Sequence, residues 1–369
     1  MRILHIIPSL NKGGAERLVL NICNELSKQK KVEVLLITFR SDNAYQFLTE
    51  TINWKSIPSY VSPSLSGKMN VNVLELQKTI EAFNPDIIHS HLFETEIILS
   101  RINFPSAKYF VHFHDNMVQF ENMRLKTFIS KHLFTNYFEK RIVLKSYKKR
   151  NTCFIGISQN SFIYIQSVLP AIFQKTFFHN SIDISLFHPV DKIGDQLSIT
   201  MIGSLVDKKG QALAIETVSE LKKRGIDIHL DLLGEGPYRH KLESMVEEYE
   251  LNDKIHIHGN VDHPEIILNN SFLYIHTAKY EPFGLVILEA MACGLPVVCT
   301  DGKGNRDLIQ EGINGFMVWE RDPKLLADKI ELLINDEQKR KVMGLNARKF
   351  SEDFGIEKYV EKLLNLYQF

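Results

Sequence analysis

The stretch EPFGLVILEAMACGLPVV, Glu281 to Val298, decides how the rest of the chain is read. Leu285, Leu288 and Ala292 recur at helical spacing, so the run predicts a buried helix. Pro282 suits a first helical turn, where its missing N–H costs nothing, and Gly294-Leu295-Pro296 stops the helix ahead of an apolar strand. Glu289 falls on the same face as Leu285, Leu288 and Ala292, a face expected to point at protein. A carboxylate there needs hydrogen-bond donors if it is to stay charged. Two hydroxyls of a ribose would serve. Glu281 stands just before the helix, beside the free N–H groups and positive dipole end that make a helix start an anion site. A structural ion pair is the plain alternative for one glutamate on a buried face. Two glutamates flanking a glycine-bearing helix start weigh against it.

Composition narrows the field. At 369 residues the chain has room for two domains of ordinary size. A hydrophobic fraction of 44% and a charged fraction of 24% are those of a soluble globular protein. A formal net charge of zero gives no general pull toward nucleic acid. Cys23, Cys153, Cys293 and Cys299 show neither CxxC nor metal spacing, and read as reduced and mostly buried. The opening MRILHIIPSL is too short an apolar run for a signal peptide and reads as a first β-strand. No segment approaches the roughly 20 apolar residues of a membrane-spanning helix. The expected location is cytoplasmic, with a peripheral place on the inner face of the cell membrane.

The chain then falls into two α/β series. Strand Arg2–Ile7, a loop over Pro8–Gly14, a helix from about Ala15 to Lys28 and strand Val32–Thr38 open a Rossmann-like half. The loop holds Gly13 and Gly14, which let backbone approach a ligand, but it is not GxGxxG, and plain turn geometry also explains it. Apolar runs at 86–89, 109–113, 153–157 and 177–178 read as further parallel strands. The run near residue 110 ends in His112-Phe113-His114-Asp115, with both histidines on one face by alternation; for either alone, a solvated or core histidine is the simpler reading. Residues 122–150 hold nine Lys or Arg against one acid, Glu139, interleaved with Phe128, Phe134, Tyr137, Phe138 and Tyr147. Such a helix can lie on an anionic membrane surface, or pack its apolar side on its own domain with its charges in water. A polar stretch at Val190–Gln196 marks the domain boundary, and a second series follows with strands near 197–202, 228–233, 255–258, 272–276 and 296–299. The predicted domains are 1–190, 191–350 and a C-terminal helical segment, 351–369, that crosses back to the first.

Taken together, these pieces resemble the retaining glycosyltransferases of family 4. The matching residues are Gly13-Gly14-Ala15-Glu16, Pro85 through His91, His114-Asp115, Ser158, Asn180 through Asp183, Phe187 and Pro189, Gly203 through Gly210, Gly234-Glu235-Gly236, His258-Gly259 and Glu281 through Glu289. The last motif is highly specific; the Gly-Gly loop and the His-Asp pair are supportive. The resemblance implies the α/β GT-B architecture, two Rossmann-like domains whose parallel sheets face each other across a cleft, the N-terminal one binding acceptor and the C-terminal one a nucleoside diphosphate sugar. It implies ribose binding by Glu289, and sugar and phosphate binding by Glu281 with the N–H groups of Phe283, Gly284 and Leu285. It further places Lys209 on the diphosphate beside Gly203 and Ser204, backbone approach at Gly13 and Gly14, and His114 by the sugar. Glu281, Lys209 and His114 are thus the expected catalytic set. No metal site and no cofactor beyond the donor, a UDP-sugar by the family's common usage, are expected.

Two positions depart from the family pattern. Ser204 stands where an arginine is usual, and a serine cannot replace a guanidinium fork on a diphosphate. Ser181 stands where Asn-Gly-Ile-Asp is usual, implying a changed backbone or a cost of about 1–2 kcal/mol if φ stays positive. The leading expectation is sugar transfer with retention to a lipid-linked acceptor or growing surface glycan. A same-fold epimerase or phosphorylase, and a nucleotide-sugar-binding protein without turnover, are the alternatives; Ser204 is the best support for the last.

Overall fold

The computed structural model describes residues 1–63, 69–121, 131–190 and 197–368. It divides into two compact units, Met1–Asn180 with Ile356–Phe369, and Ser181–Gly355. In the first, β1 (Arg2–Ile7), β2 (Glu33–Thr38), β3 (Trp54–Ser56), β6 (Ile87–His91), β7 (Lys108–Phe113), β8 (Thr152–Gly156) and β9 (Gln174–Phe177) form one parallel sheet in the order β3-β2-β1-β6-β7-β8-β9. β4 (Tyr60–Pro63) and β5 (Met69–Asn72) make a separate antiparallel pair. Up to Asn180 its helices include α1 (Gly14–Ser27), α2 (Gln46–Thr49), α3 (Leu74–Phe83), α4 (Phe93–Leu99), α5 (Lys131–Tyr147) and α6 (Gln159–Val168).

Alternation along each strand sends side chains to two cores. Ile3 and Ile7 of β1 pack with Ile87, Phe110 and the apolar side of α1, while Leu4 and Ile6 join Ile88 and Tyr109 on the other face. Burial of β strands on both faces is what a parallel sheet requires, and explains their nearly unbroken apolar runs.

The second unit repeats the pattern. β10 (Ser198–Ile202), β11 (His229–Leu233), β12 (Ile255–Gly259), β13 (Leu273–His276), β14 (Val297–Thr300) and β15 (Gly315–Val318) run parallel in the order β12-β11-β10-β13-β14-β15. They alternate with α7 (Gln211–Lys223), α8 (Arg239–Glu248), α9 (Pro264–Asn270), α10 (Leu285–Ala292), α11 (Pro323–Asn335) and α12 (Glu337–Ser351). The last helix, α13 (Ile356–Gln368), buries Ile356, Tyr359, Val360, Leu363 and Tyr367 against the α1 core, so the end of the chain belongs to the first unit.

The division falls between Asn180 and Ser181, earlier than a boundary at 190, and again at Gly355. The cause is local: the Phe187 carbonyl accepts from Arg348 Nη1 at 2.8 Å, and the Val190 N–H donates to Asn269 Oδ1 at 3.1 Å, tying 181–190 to the second unit. Residues 191–196 of the polar stretch lie outside the described residues, as do 122–130 of the basic stretch. Ser181 is buried and is not among the non-glycine residues with positive φ, so it carries no left-handed strain. All four cysteines are buried free thiols, and burial pushes Cys153 and Cys293 up to about 12.

Candidate active site

In the second sheet the strand order reverses between β10 and β13. Loops leaving the C-terminal ends of those neighbours diverge, and in open α/β sheets that crevice is where ligands sit. The β10 loop runs through Gly203, Ser204 and a 3-10 turn at Asp207–Lys209; the β13 loop runs through Glu281 to the cap of α10. They are held together at Gly210, whose carbonyl accepts from Thr277 Oγ1 at 2.8 Å. Gly210 has φ +75°, and a Cβ there would lie 1.9 Å from the Thr277 carbonyl oxygen, so only glycine fits.

This junction brings Lys209 Nζ to 2.6 Å from Glu281 Oε2. His276, fully buried at the end of β13, reaches the same oxygen through Nε2 at 3.1 Å. Its Nδ1 lies 3.4 Å from the Tyr274 hydroxyl, an arrangement that suits the tautomer donating Nε2–H to the carboxylate. The Glu281 backbone is fixed as well: its N–H donates to the Gly302 carbonyl at 2.8 Å and its carbonyl accepts from the Gly304 N–H at 2.9 Å. Burial pushes the Glu281 carboxyl up. The Lys209 charge and the hydrogen bond from His276 outweigh it, bringing the group down to about 2. The result is a buried carboxylate, ionised at neutral pH, with a lysine beside it.

α10 starts at Leu285, with Gly284 as its N-cap at φ +106°, three residues later than a helix opening at Pro282. Pro282 therefore lies ahead of the cap, and the Leu285 and Val286 N–H groups occupy a first turn without intrahelical acceptors. Phe283 is buried. A second correction concerns Glu289. The buried arc of α10 is Ile287, Leu288, Ala290, Met291 and Ala292, leaving Leu285, Val286 and Glu289 as a half-buried stripe. α10 packs on its own sheet and on α12, so its buried arc is wide and displaces Glu289 from the face expected to point at protein. Glu289 stays close enough to Tyr274 and Cys293 for its charge to help raise both.

The remaining sequence candidates are placed as follows. Gly203 and Ser204 turn under Gln211, whose Nε2 donates to both carbonyls at 3.2 and 3.0 Å; the Ser204 side chain is exposed. Gly13, Gly14 and His114 belong to the first unit. Gly13 is the extended N-cap of α1, its N–H donating to the Tyr45 hydroxyl at 3.0 Å, and Gly14 is exposed beside it. His114 follows β7 and is buried, its Nε2 2.9 Å from His91 Nδ1, and burial lowers it to about 3, so its ring is neutral at neutral pH. Tyr274 and His276 went unread in the sequence. Their only signal is a same-face pair at strand spacing five residues before Glu281, hidden inside an apolar run.

Two family profiles match the chain: Glycosyltransferase Family 4 over residues 12–165, and Glycosyl transferases group 1 over residues 185–350. The chain belongs to the group 1 glycosyltransferases. An uncharacterized glycosyltransferase of Methanocaldococcus jannaschii is 24% identical over 98% of this chain and 97% of its own length. The poly(ribitol-phosphate) alpha-N-acetylglucosaminyltransferase of Staphylococcus aureus is 31% identical over 45% of this chain and 34% of its own. The crystal structure of HepE from Anabaena in complex with UDP and glucose superposes with a TM-score of 0.79 at 21% identity, covering 98% of this chain and 99% of that one. The fold of this glycosyltransferase is GT-B, and its match to the group 1 profile spans both loops of the Lys209–Glu281 junction. Among the described residues, no helix is long and apolar enough to cross a membrane.

Proposed function

We propose that this glycosyltransferase takes a sugar from a nucleoside diphosphate donor to an acceptor hydroxyl with retention of anomeric configuration and without an obligatory metal. The observation that carries the reading is the Lys209–Glu281–His276 cluster at the β10/β13 reversal, directly ahead of the α10 N-terminus. An ionised Glu281 accepts from donor-sugar hydroxyls. The N–H groups at Phe283, Gly284 and Leu285 face the phosphate nearest that sugar, and Lys209 meets the charge that grows on the diphosphate as the glycosidic bond breaks. The half-open position of Glu289 suits two ribose hydroxyls better than full burial would. Gly203 and Ser204 border the diphosphate. The sequence holds no DxD triplet to carry a metal, so cationic help at the leaving group falls to Lys209 and the helix start. In a front-face displacement the departing phosphate oxygen takes the acceptor's proton.

Uridine is the favoured base, in keeping with the UDP bound by HepE. The acceptor is read as a lipid-linked or growing surface glycan, made at the inner face of the membrane. The basic stretch supports this in its described part. Arg101, Lys145, Lys149 and Arg150 line a cavity of about 560 Å³ with no acidic residue in its wall. Flotation with anionic vesicles at low salt tests the surface reading; absence of binding removes it. A thermal-shift screen of nucleotide sugars tests the donor reading. A true donor at a hundred times its Kd stabilises the fold by about 2.7 kcal/mol. If no nucleotide sugar shifts the melting temperature and none is consumed with an acceptor panel, the reading fails.

A further inference from the structure

Five histidines crowd one face of the first sheet: His5 on β1, His89 and His91 on β6, His112 on β7 and His114 immediately after it. Register makes the crowding unavoidable, since His5 pairs with His89 and His91 with His112 across parallel neighbours. Their rings approach to 4.4–5.4 Å between centroids, and all five are buried. The surrounding face is apolar, with Ile3, Ile7, Ile87 and Phe110. Buried imidazoles in such a setting need partners. Some have them: His5 Nδ1 and His91 Nε2 are 3.0 Å apart, His91 Nδ1 and His114 Nε2 2.9 Å, and His89 Nδ1 lies 2.6 Å from the Tyr367 hydroxyl of α13. His5 Nε2, His89 Nε2, both nitrogens of His112 and His114 Nδ1 have no protein partner.

We propose that His5, His89 and His91 form a buried structural site for a borderline divalent transition cation of the zinc class. One ring nitrogen from each lies within 4.8 Å of the others. Closing that set onto one ion with bonds of about 2.0–2.1 Å draws the three rings together and exchanges one of the two ring-nitrogen hydrogen bonds of His91, to His5 or to His114, for the ion. The donor set is all imidazole with no carboxylate, which suits zinc, cobalt, nickel or copper and not magnesium or calcium. His89 has the outer partner typical of a metal-ligating imidazole: Tyr367 holds one ring nitrogen and leaves the other lone pair to point elsewhere. That link selects this trio over His91, His112 and His114, whose atoms also lie within 4.8 Å but whose His112 is anchored by no hydrogen bond. The ion would tie β1, β6 and, through Tyr367, α13 into one core.

The test uses the full chain without a histidine tag, expressed in minimal medium with zinc or with cobalt, because a buried site fills during folding. Elemental analysis after desalting should find close to one metal per chain. The cobalt form should show visible ligand-field bands of a site with three imidazole nitrogen ligands. His5→Gln and His89→Gln should each lose the metal and the bands, whereas His112→Gln and His256→Gln, the latter on the His229–His256 pair of the second unit, should keep both. Tyr367→Phe retains all three ligands and should release metal to a chelator about 10–100-fold more readily. That variant keeps the proposal testable if a histidine substitution fails to fold. Wild-type protein that carries no metal after either expression overturns the proposal. So does metal lost with His112→Gln or His256→Gln but kept with His5→Gln.

Discussion

Replacing Lys209 by methionine should expose how strongly the Lys209–Glu281 junction stabilises the second unit. The drop of the Glu281 carboxyl from its usual 4.5 to about 2 corresponds to about 3 kcal/mol in favour of the folded state at neutral pH. Because the carboxyl titrates lower when folded, the unfolded chain takes up the proton first as pH falls. The stabilisation is therefore complete above about pH 4.5 and is lost progressively toward pH 2. In Lys209→Met the burial remains and the largest opposing charge is gone, so the carboxyl should rise above its usual value. The cost at pH 7 should then be at least about 3 kcal/mol, as is usual when one partner of a buried pair is removed. Adding Glu281→Gln to Lys209→Met should recover a large part of that loss, since the uncompensated charge is gone. Hydrogen exchange of second-unit peptides across a urea series reads the local stability without assuming that both units unfold together. A cost below about 1 kcal/mol at pH 7, or one unchanged between pH 6 and pH 3, would refute the reasoning.

Three further outcomes are expected. Gly210→Ala should destabilise the second unit by at least about 2 kcal/mol, because its Cβ would lie 1.9 Å from the Thr277 carbonyl oxygen and its φ is +75°; urea unfolding checks this. Lys303→Gly should stabilise by about 0.5–1 kcal/mol in the same assay, since Lys303 holds φ +79°, ψ −69° beside Glu281, and relief of that strain exceeds the entropy cost of glycine. Ser204→Arg should tighten binding of a nucleoside diphosphate about tenfold and steepen its salt dependence, measured by calorimetric titration, because a guanidinium adds charge-assisted hydrogen bonds at an exposed position.

The two α/β series were legible because parallel strands buried on both faces write unbroken apolar runs; β1, β7, β10 and β13 can be read directly. β3 and β15 were missed: Trp-Lys-Ser is too short for a pattern, and Gly-Phe-Met-Val follows a turn that masks it. The Glu281–Glu289 stretch revealed the site, but its helix register depended on Gly284 taking a left-handed cap, and spacing alone cannot decide between that and a start at Pro282. Glu289 was misplaced for a related reason. A helical wheel shows which residues share a face, not how wide an arc the neighbours cover. Lys209 was identified by type and position, yet His276, which shares the Glu281 carboxylate with it, depends on strand alternation at a loop junction 67 residues away from Gly210 in sequence, where Thr277 makes the closing bond. The histidine patch required the register of three strands before its members could be seen as neighbours.

The central claim is that Glu281 serves the reacting donor sugar. The decisive measurement compares wild type with Glu281→Ala for sugar transfer from a donor found in the thermal-shift screen, alongside calorimetric titration of the matching nucleoside diphosphate. Loss of that group should cut transfer by about 10²–10³ or more, with nucleotide affinity changed only a few fold. Transfer that survives the substitution, or falls only in step with nucleotide binding, would contradict the account.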